Sequence, residues 1–364
     1  MTTSLWQTFA LELDARRPGF ALGPWFTMNA MLALDGELDA GRLAAAFDTL
    51  QRRHDILRTD SGVAELELVR EAALHVPVPL AAPIRLQLSG DRLTLHLHHM
   101  VSDPVSLWLA LTELAALYSG EDLPPAPQYA DYLLDEAEQM SRNADAASTW
   151  WRSRVTDAKI CPQPSRTQGS PFAYRSELLS AAEAAQVEQL TRSHRSTALV
   201  TLLAALASAM EPTAGDTLVF NTLFSKRDRP DWQRVLGPCI VPSVLAVPCS
   251  TGSLAADVPA MRDAVVGCSR YARYPVLELE VPPRTPFFEY VPQQWPGGYD
   301  FGPIRGEVVG AAGPKDTGLA DALAIRVRPT ADGVLAGHFS GDGSDWSEPL
   351  VTAVASGVRA YLLG

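Results

Sequence analysis

Hydrophobic and polar positions mark out most of the chain's elements before any residue is assigned a role. Residues 26–35 form an apolar run that suggests a strand and closes on the Asp35-Gly36 turn. From Leu38 to Arg53 the period changes to that of a helix, with Leu43, Ala46, Phe47 and Leu50 on one face. Extended segments follow through Ile56, 65–69 and 75–80. Residues 84–100 read as a hairpin turning at Ser89-Gly90-Asp91. Helices are predicted over 104–119, 129–141 and 145–156.

A similar order recurs further on. The Pro-, Ser-, Gln- and Gly-rich stretch 157–171 reads as a linker. Beyond it come a strand (172–179), two helices (180–194 and 196–210), strands at 217–225 and 239–247, and a helix over 253–268. Residues 275–314 hold eight prolines and little periodicity, so loops and edge segments are predicted there. A hairpin (323–328 and 334–340) and a helix (347–362) end the chain. Strands alternate with helices in both halves, which predicts an α/β (α+β) chain of two lobes of similar size, 1–160 and 170–364.

Composition narrows the possible functions. The 364 residues are 47% apolar and 20% charged, a globular balance, with a net charge of −12. No basic run exceeds a pair such as Arg52-Arg53 or Lys226-Arg227. Nucleic acid and anionic membrane are therefore poor partners, because both are held by clustered Lys and Arg. Met1 to Leu13 lacks the pattern of a secretory signal. The longest apolar stretch, Ala198 to Met210, is too short to span a bilayer, which needs about 20 residues. Cys161, Cys239, Cys249 and Cys268 show neither C-x-x-C spacing nor histidines at zinc intervals, so no metal site is expected. They read as reduced thiols of a cytoplasmic protein.

The chemistry concentrates at the end of the hairpin. Leu93, Leu95, Leu97 and His99 share one face of the strand, and Thr94, His96, His98 and Met100 the other. His99 thus continues an apolar stripe where the strand stops. A neutral imidazole there can accept a proton near pH 7; equally, a core histidine can simply satisfy a backbone carbonyl. Asp103 stands four residues on, suited as the N-cap of the next helix, with Pro104 at its first position.

The stretch His98-His99-Met-Val-Ser-Asp103, with the helix through Tyr118, resembles the active-site motif of nonribosomal peptide synthetase condensation domains, in the chloramphenicol acetyltransferase-like superfamily. Three further stretches agree in order. They are Gly36–Phe47 with Arg53-His54-Asp55-Ile-Leu57-Arg58-Thr59, Tyr129-Ala-Asp131-Tyr132 with Trp150-Trp151, and Ser225-Lys226-Arg227-Asp228-Arg229-Pro230 with Leu236-Gly237. The resemblance implies two chloramphenicol acetyltransferase-like lobes in a V-shape with an interlobe tunnel. It implies His99 as the catalytic base or positioning group, and His98 and Asp103 as architecture. Asp103 is matched with Arg227 in an ion pair between lobes. No bound cofactor is implied. The acyl donor would arrive on the phosphopantetheine arm of an acyl or peptidyl carrier protein, or as a coenzyme A thioester, and meet a small-molecule acceptor. Because carrier proteins are usually acidic, Arg52, Arg53 and Arg229 are expected as docking positions.

The sequence departs from the family pattern where Pro104 replaces a glycine and Val241-Pro242 replaces Asn-Thr. It carries no adenylation region and no carrier Gly-Gly-x-Ser-Leu; Gly341-Asp-Gly-Ser344-Asp lacks the apolar residue that should follow. A freestanding condensation-like acyltransferase of natural-product biosynthesis is the leading expectation. A coenzyme A-dependent O- or N-acyltransferase and a non-catalytic recruitment module are the alternatives.

Overall fold

A helix that the apolar pattern did not announce opens the structure. In the computed structural model, α1 (Leu5–Arg16) begins at a capping box: the Ser4 side chain accepts from the Gln7 N–H, and the Gln7 side chain accepts from the Ser4 N–H. The Ser-x-x-Gln spacing was the available sequence signal. The structure describes residues 3–58, 62–159, 170–210, 217–292, 296–314, 323–341, 343 and 346–364. Most of the expected 157–171 linker, together with Thr59, Cys161 and Ser344, lies outside the described residues.

Two compact units make up the chain, and neither is contiguous in sequence. The first comprises Met1–Gln139, Ser225–Val241 and Trp295–Thr317; the second comprises Met140–Phe224, Pro242–Gln294 and Gly318–Gly364. This differs from the division at 157–171, because two segments from the C-terminal half fold with the N-terminal half.

The first unit is built on β1 (Thr27–Leu34), β2 (Leu66–Leu68), β3 (Ile84–Ser89), β4 (Arg92–His98), β9 (Gly298–Phe301) and β10 (Ile304–Ala312), in the order β2-β3-β4-β1-β10-β9. The hairpin predicted over 84–100 is the β3–β4 pair, with Leu86 opposite Leu95. One face of the sheet carries Ala30, Leu32, Leu93, Leu95 and Leu97. It packs against Leu43, Phe47 and Leu50 of α2 (Ala40–Arg53) and Leu107, Leu111 and Leu114 of α3 (Pro104–Ser119). Those positions recur every three or four residues, so the period that suggested helices also sets which stripe is buried.

In the second unit the sheet order is β5-β12-β11-β8-β6-β7, formed by β5 (Phe172–Leu179), β6 (Thr217–Ser225), β7 (Ile240–Pro248), β8 (Phe287–Tyr290), β11 (Ala324–Pro329) and β12 (Leu335–Gly341). Its core joins Ile325, Val327 and Phe339 to α6 (Ala198–Ala209) and α8 (Glu348–Leu363). Helices α5 (Ala181–Ser193) and α7 (Leu254–Arg270) complete it. Pro242 lies in β7, an edge strand of this sheet, where a missing N–H is tolerated.

Two elements differ from expectation. The separate helices 129–141 and 145–156 are one helix, α4 (Tyr129–Val155), since no Pro or Gly between Met140 and Ser148 ends it. The region 275–314 holds strands, and β8 and β10 are interior ones. Its prolines act as punctuation: Pro286 and Pro292 flank β8, Pro296 and Pro303 flank β9, and Pro314 follows β10. Long-range pairing of β10 with β1 supplied what local pattern lacked.

Candidate active site

The site forms where β4 ends. His98 is the last strand residue, opposite Thr27, and His99 is the first residue of the turn that follows. The His99 N–H donates to the Phe26 carbonyl at 2.7 Å. Its ring lies against Phe26 and Trp6, with centroids 5.0 and 4.7 Å away. The apolar stripe therefore does continue to His99, but its aromatic neighbours come from the residue before β1 and from α1.

Hydrogen-bond chemistry assigns the tautomers. His99 Nδ1 lies 2.7 Å from the Ser102 carbonyl oxygen, which only accepts, so Nδ1 carries the proton and Nε2 keeps its lone pair. Burial is the largest influence on His99 and holds its pKa below the usual value, against the opposing Ser102 carbonyl and Asp103 charge. The imidazole is therefore neutral at pH 7, with Nε2 as its basic atom.

His98 has the opposite arrangement. Its Nδ1 accepts from the Met100 N–H at 3.2 Å, and its Nε2 donates to the Gly23 carbonyl at 3.2 Å. Both nitrogens are engaged, and burial pushes the pKa to about 4. His98 holds the turn rather than offering a base. His96, deeper in the strand, is bonded to Asn29 Oδ1 at 2.9 Å and is pushed by burial to about 3.

The turn is clamped from two sides. From α1, Trp6 Nε1 donates to the His99 carbonyl at 3.0 Å and Gln7 Nε2 to the Met100 carbonyl at 3.1 Å. From α3, Asp103 is the N-cap, accepting from the Ser106 N–H at 2.7 Å, with Pro104 at the first helical position. The carboxylate also accepts from Ser106 Oγ at 2.7 Å, from the Cys239 N–H at 3.1 Å and from Arg227 Nη2 at 2.9 and 3.0 Å. Arg227 Nη1 donates in addition to the Trp232 and Val235 carbonyls. Burial disfavours the guanidinium charge, yet the Asp103 carboxylate and neighbouring groups outweigh it, and the net shift of Arg227 is upward.

This pair was expected between lobes; both residues belong to the first unit, because Ser225–Val241 folds into it. Gly237 shows how closely that segment is seated. A Cβ there would meet the Tyr129 ring at 2.2 Å, so only glycine fits.

The profile of the condensation domain matches residues 76–284, more than half of the chain. The chain belongs to the condensation-domain family. Condensation domains catalyse amide-bond formation, an acyltransferase reaction, and those of nonribosomal peptide synthetases work with the phosphopantetheine arms of partner carrier proteins. This condensation domain is 25% identical over 301 residues to tyrocidine synthase 3 of Brevibacillus parabrevis, covering 70% of the chain and 4% of that protein. It thus spans under a tenth of the length of the synthetases it matches. Two solved structures share the two-lobed chloramphenicol acetyltransferase-like fold. The condensation domain of the monacolin K polyketide synthase MokA has a TM-score of 0.79 at 16% identity, over 100% of this chain and 97% of that one. The SgcC5 protein of Streptomyces globisporus has a TM-score of 0.77 at 16% identity, over 100% and 98%.

His54, Arg53 and Asp55 of the condensation domain make contacts that hold local structure. His54 Nε2 lies 3.0 Å from Glu113 Oε2, which also accepts from Arg53 Nε at 3.0 Å. Arg53 further donates to the Pro124 carbonyl at 2.8 Å and is largely buried, which leaves it little to offer a partner. Asp55 accepts from the Tyr129 and Ala130 N–H groups and so caps α4. Arg52 and Arg229 are exposed, paired with Asp48 and Asp135 respectively. Trp6, Gln7, Phe26 and Ser106 were not singled out from sequence. Among the described residues no helix is long and apolar enough to cross a membrane.

Proposed function

We propose that this chain joins a thioester-bound acyl or aminoacyl donor, presented by a carrier protein, to an amine or alcohol acceptor in natural-product biosynthesis, with His99 as general base. The observation that carries the reading is the 2.7 Å contact between His99 Nδ1 and the Ser102 carbonyl, which leaves Nε2 as the basic atom. Nε2 takes the acceptor's proton as its nitrogen or oxygen attacks the thioester carbonyl. The new C–N or C–O bond forms, the C–S bond breaks, and the proton passes from His99 to the leaving thiolate. General-base help of this kind contributes about 10²–10⁴-fold, and alignment of the two substrates contributes further.

His98, Asp103 and Arg227 act as architecture in this reading, keeping His99 at the strand end. Arg52 and Arg229, being exposed, are the positions proposed to meet an acidic carrier protein.

The test is intact-protein mass spectrometry of acyl-loaded carrier proteins incubated with the chain and candidate acceptors. Acyl loss from the carrier with formation of the coupled product, absent in His99→Ala, is the expected result. Turnover of the coenzyme A thioester but not the carrier-bound one would establish the coenzyme A-dependent reaction in its place. Carrier binding without turnover in the unaltered chain would overturn catalysis in favour of recruitment.

A further inference from the structure

The second unit's sheet places an unusual set of charges on the face opposite its packed core. Arg175 on β5 stands directly across from His338 on β12, His338 across from Arg326 on β11, and Arg326 across from Glu289 on β8. Arg328 follows two residues after Arg326 and so shares its face. The alternate residues Tyr174, Phe339, Ile325 and Val327 are the ones that pack into the core.

Like charges directly opposed across strands destabilise a sheet, and here three arginines surround one imidazole. Glu289 answers one of them, with Arg326 Nε 3.3 Å from its Oε2. Arg326 also lies over the Phe287 ring, 5.1 Å from its centroid. Arg328 Nε is buried with no hydrogen-bond partner. Burial, and then the charges of Arg328, Arg175 and Arg326, hold His338 below the usual imidazole range. Burial likewise lowers Arg328, opposed by Glu289 and reinforced by Arg326 and Arg175. Two other carboxylates are near: Glu177, two residues from Arg175 and across from Ala336, and Asp332, which accepts from the Thr330 hydroxyl.

We propose that this strip binds a phosphate-class oxyanion, held by the guanidiniums of Arg175, Arg326 and Arg328 around His338. Planar guanidinium donors match the edges of a tetrahedral oxyanion. A bound dianion gives Arg328 Nε its acceptor and turns His338 into a donor. Free phosphate, the 3′-phosphate of coenzyme A and the phosphodiester of a pantetheine arm share this chemistry. Binding of inorganic phosphate here does not depend on the reaction assigned to His99.

The experiment is an NMR titration of the His338 ring, its signal assigned with His338→Gln, in the full chain at constant ionic strength. Inorganic phosphate should raise the His338 titration midpoint by about one pH unit, with chloride leaving it in place. Arg328→Gln, and separately Arg175→Gln on the exposed edge strand, should weaken phosphate by about tenfold or more. His99→Ala should bind phosphate as the unaltered chain does. Coenzyme A binding tighter than dephospho-coenzyme A would point to the 3′-phosphate as the source, and preference for a phosphopantetheine diester would point to a carrier arm. A His338 signal unmoved by phosphate, or a response unchanged in both arginine variants, would overturn the proposal.

Discussion

Trp6 donates its indole N–H to the backbone carbonyl of His99 at 3.0 Å while its ring lies 4.7 Å from the imidazole. One side chain of α1 thus holds both the peptide and the ring of the residue on which the chemistry is proposed to depend. Trp6→Phe keeps the ring contact and removes the donor, leaving a buried carbonyl unpaired. Stability should fall by about 1–3 kcal/mol in denaturant unfolding, and kcat should fall while KM holds. Unchanged stability and turnover would show the hydrogen bond to be incidental.

His99→Ala should lower acyl transfer by about 10²–10⁴-fold and leave donor binding intact. Single-turnover rates alongside binding measurements check this. Turnover at the level of the unaltered chain would make His99 a packing residue.

Asp103→Ala should destabilise the chain more than His99→Ala. Removing the carboxylate strands the Arg227 guanidinium, only 6% exposed, at a cost of about 3–5 kcal/mol. Losing the His99 ring removes packing against Trp6 and Phe26 without stranding a charge. Thermal melts of the two variants give the order, and equal or reversed losses count against it.

The buried imidazoles predict a pH window for stability. His96 and His98 stay neutral in the folded chain down to about 3 and about 4, whereas the unfolded chain takes up those protons near 6.5. Their stabilising contribution is therefore complete above about pH 7 and declines as pH falls through 6.5 towards 4. At pH 5 the pair should have lost about 4 kcal/mol. Since the His99 pKa is also lowered, the acid limb of the rate profile should lie below pH 6.5. Denaturant unfolding and initial rates at pH 7.5, 6 and 5 test both, and a rate that falls with a midpoint above 6.5 contradicts the His99 assignment.

Arg52→Glu and Arg229→Glu should slow transfer from a carrier-bound donor and spare a small soluble thioester such as an N-acetylcysteamine analogue. Both guanidiniums are exposed, so reversal should change encounter more than folding. Equal activity on both donors in both variants rules out this docking face.

Much of the site was legible because it is local. The His98-His99 pair, the Asp103 cap and Pro104 fall within seven consecutive residues at a strand–helix junction, where alternation and capping chemistry read directly from sequence. The family resemblance added Arg227 as the partner of Asp103, and the two are in contact at 2.9 Å. Trp6 was missed because a short helix with no strong apolar stripe gives little signal beyond its Ser4-x-x-Gln7 cap.

By itself, then, the sequence determined the periodic elements and the turn that carries His99, since strand alternation, helix period and capping depend on near neighbours. Tertiary structure alone decided that Ser225–Val241 and β10 belong with the N-terminal half, which places the Asp103–Arg227 pair inside one unit. It also brought Arg175, Arg326, Arg328 and His338 onto one sheet face. The reason is physical: strand pairing joins residues more than a hundred positions apart through backbone hydrogen bonds common to every residue, so no local pattern of side chains encodes which strand will be the neighbour.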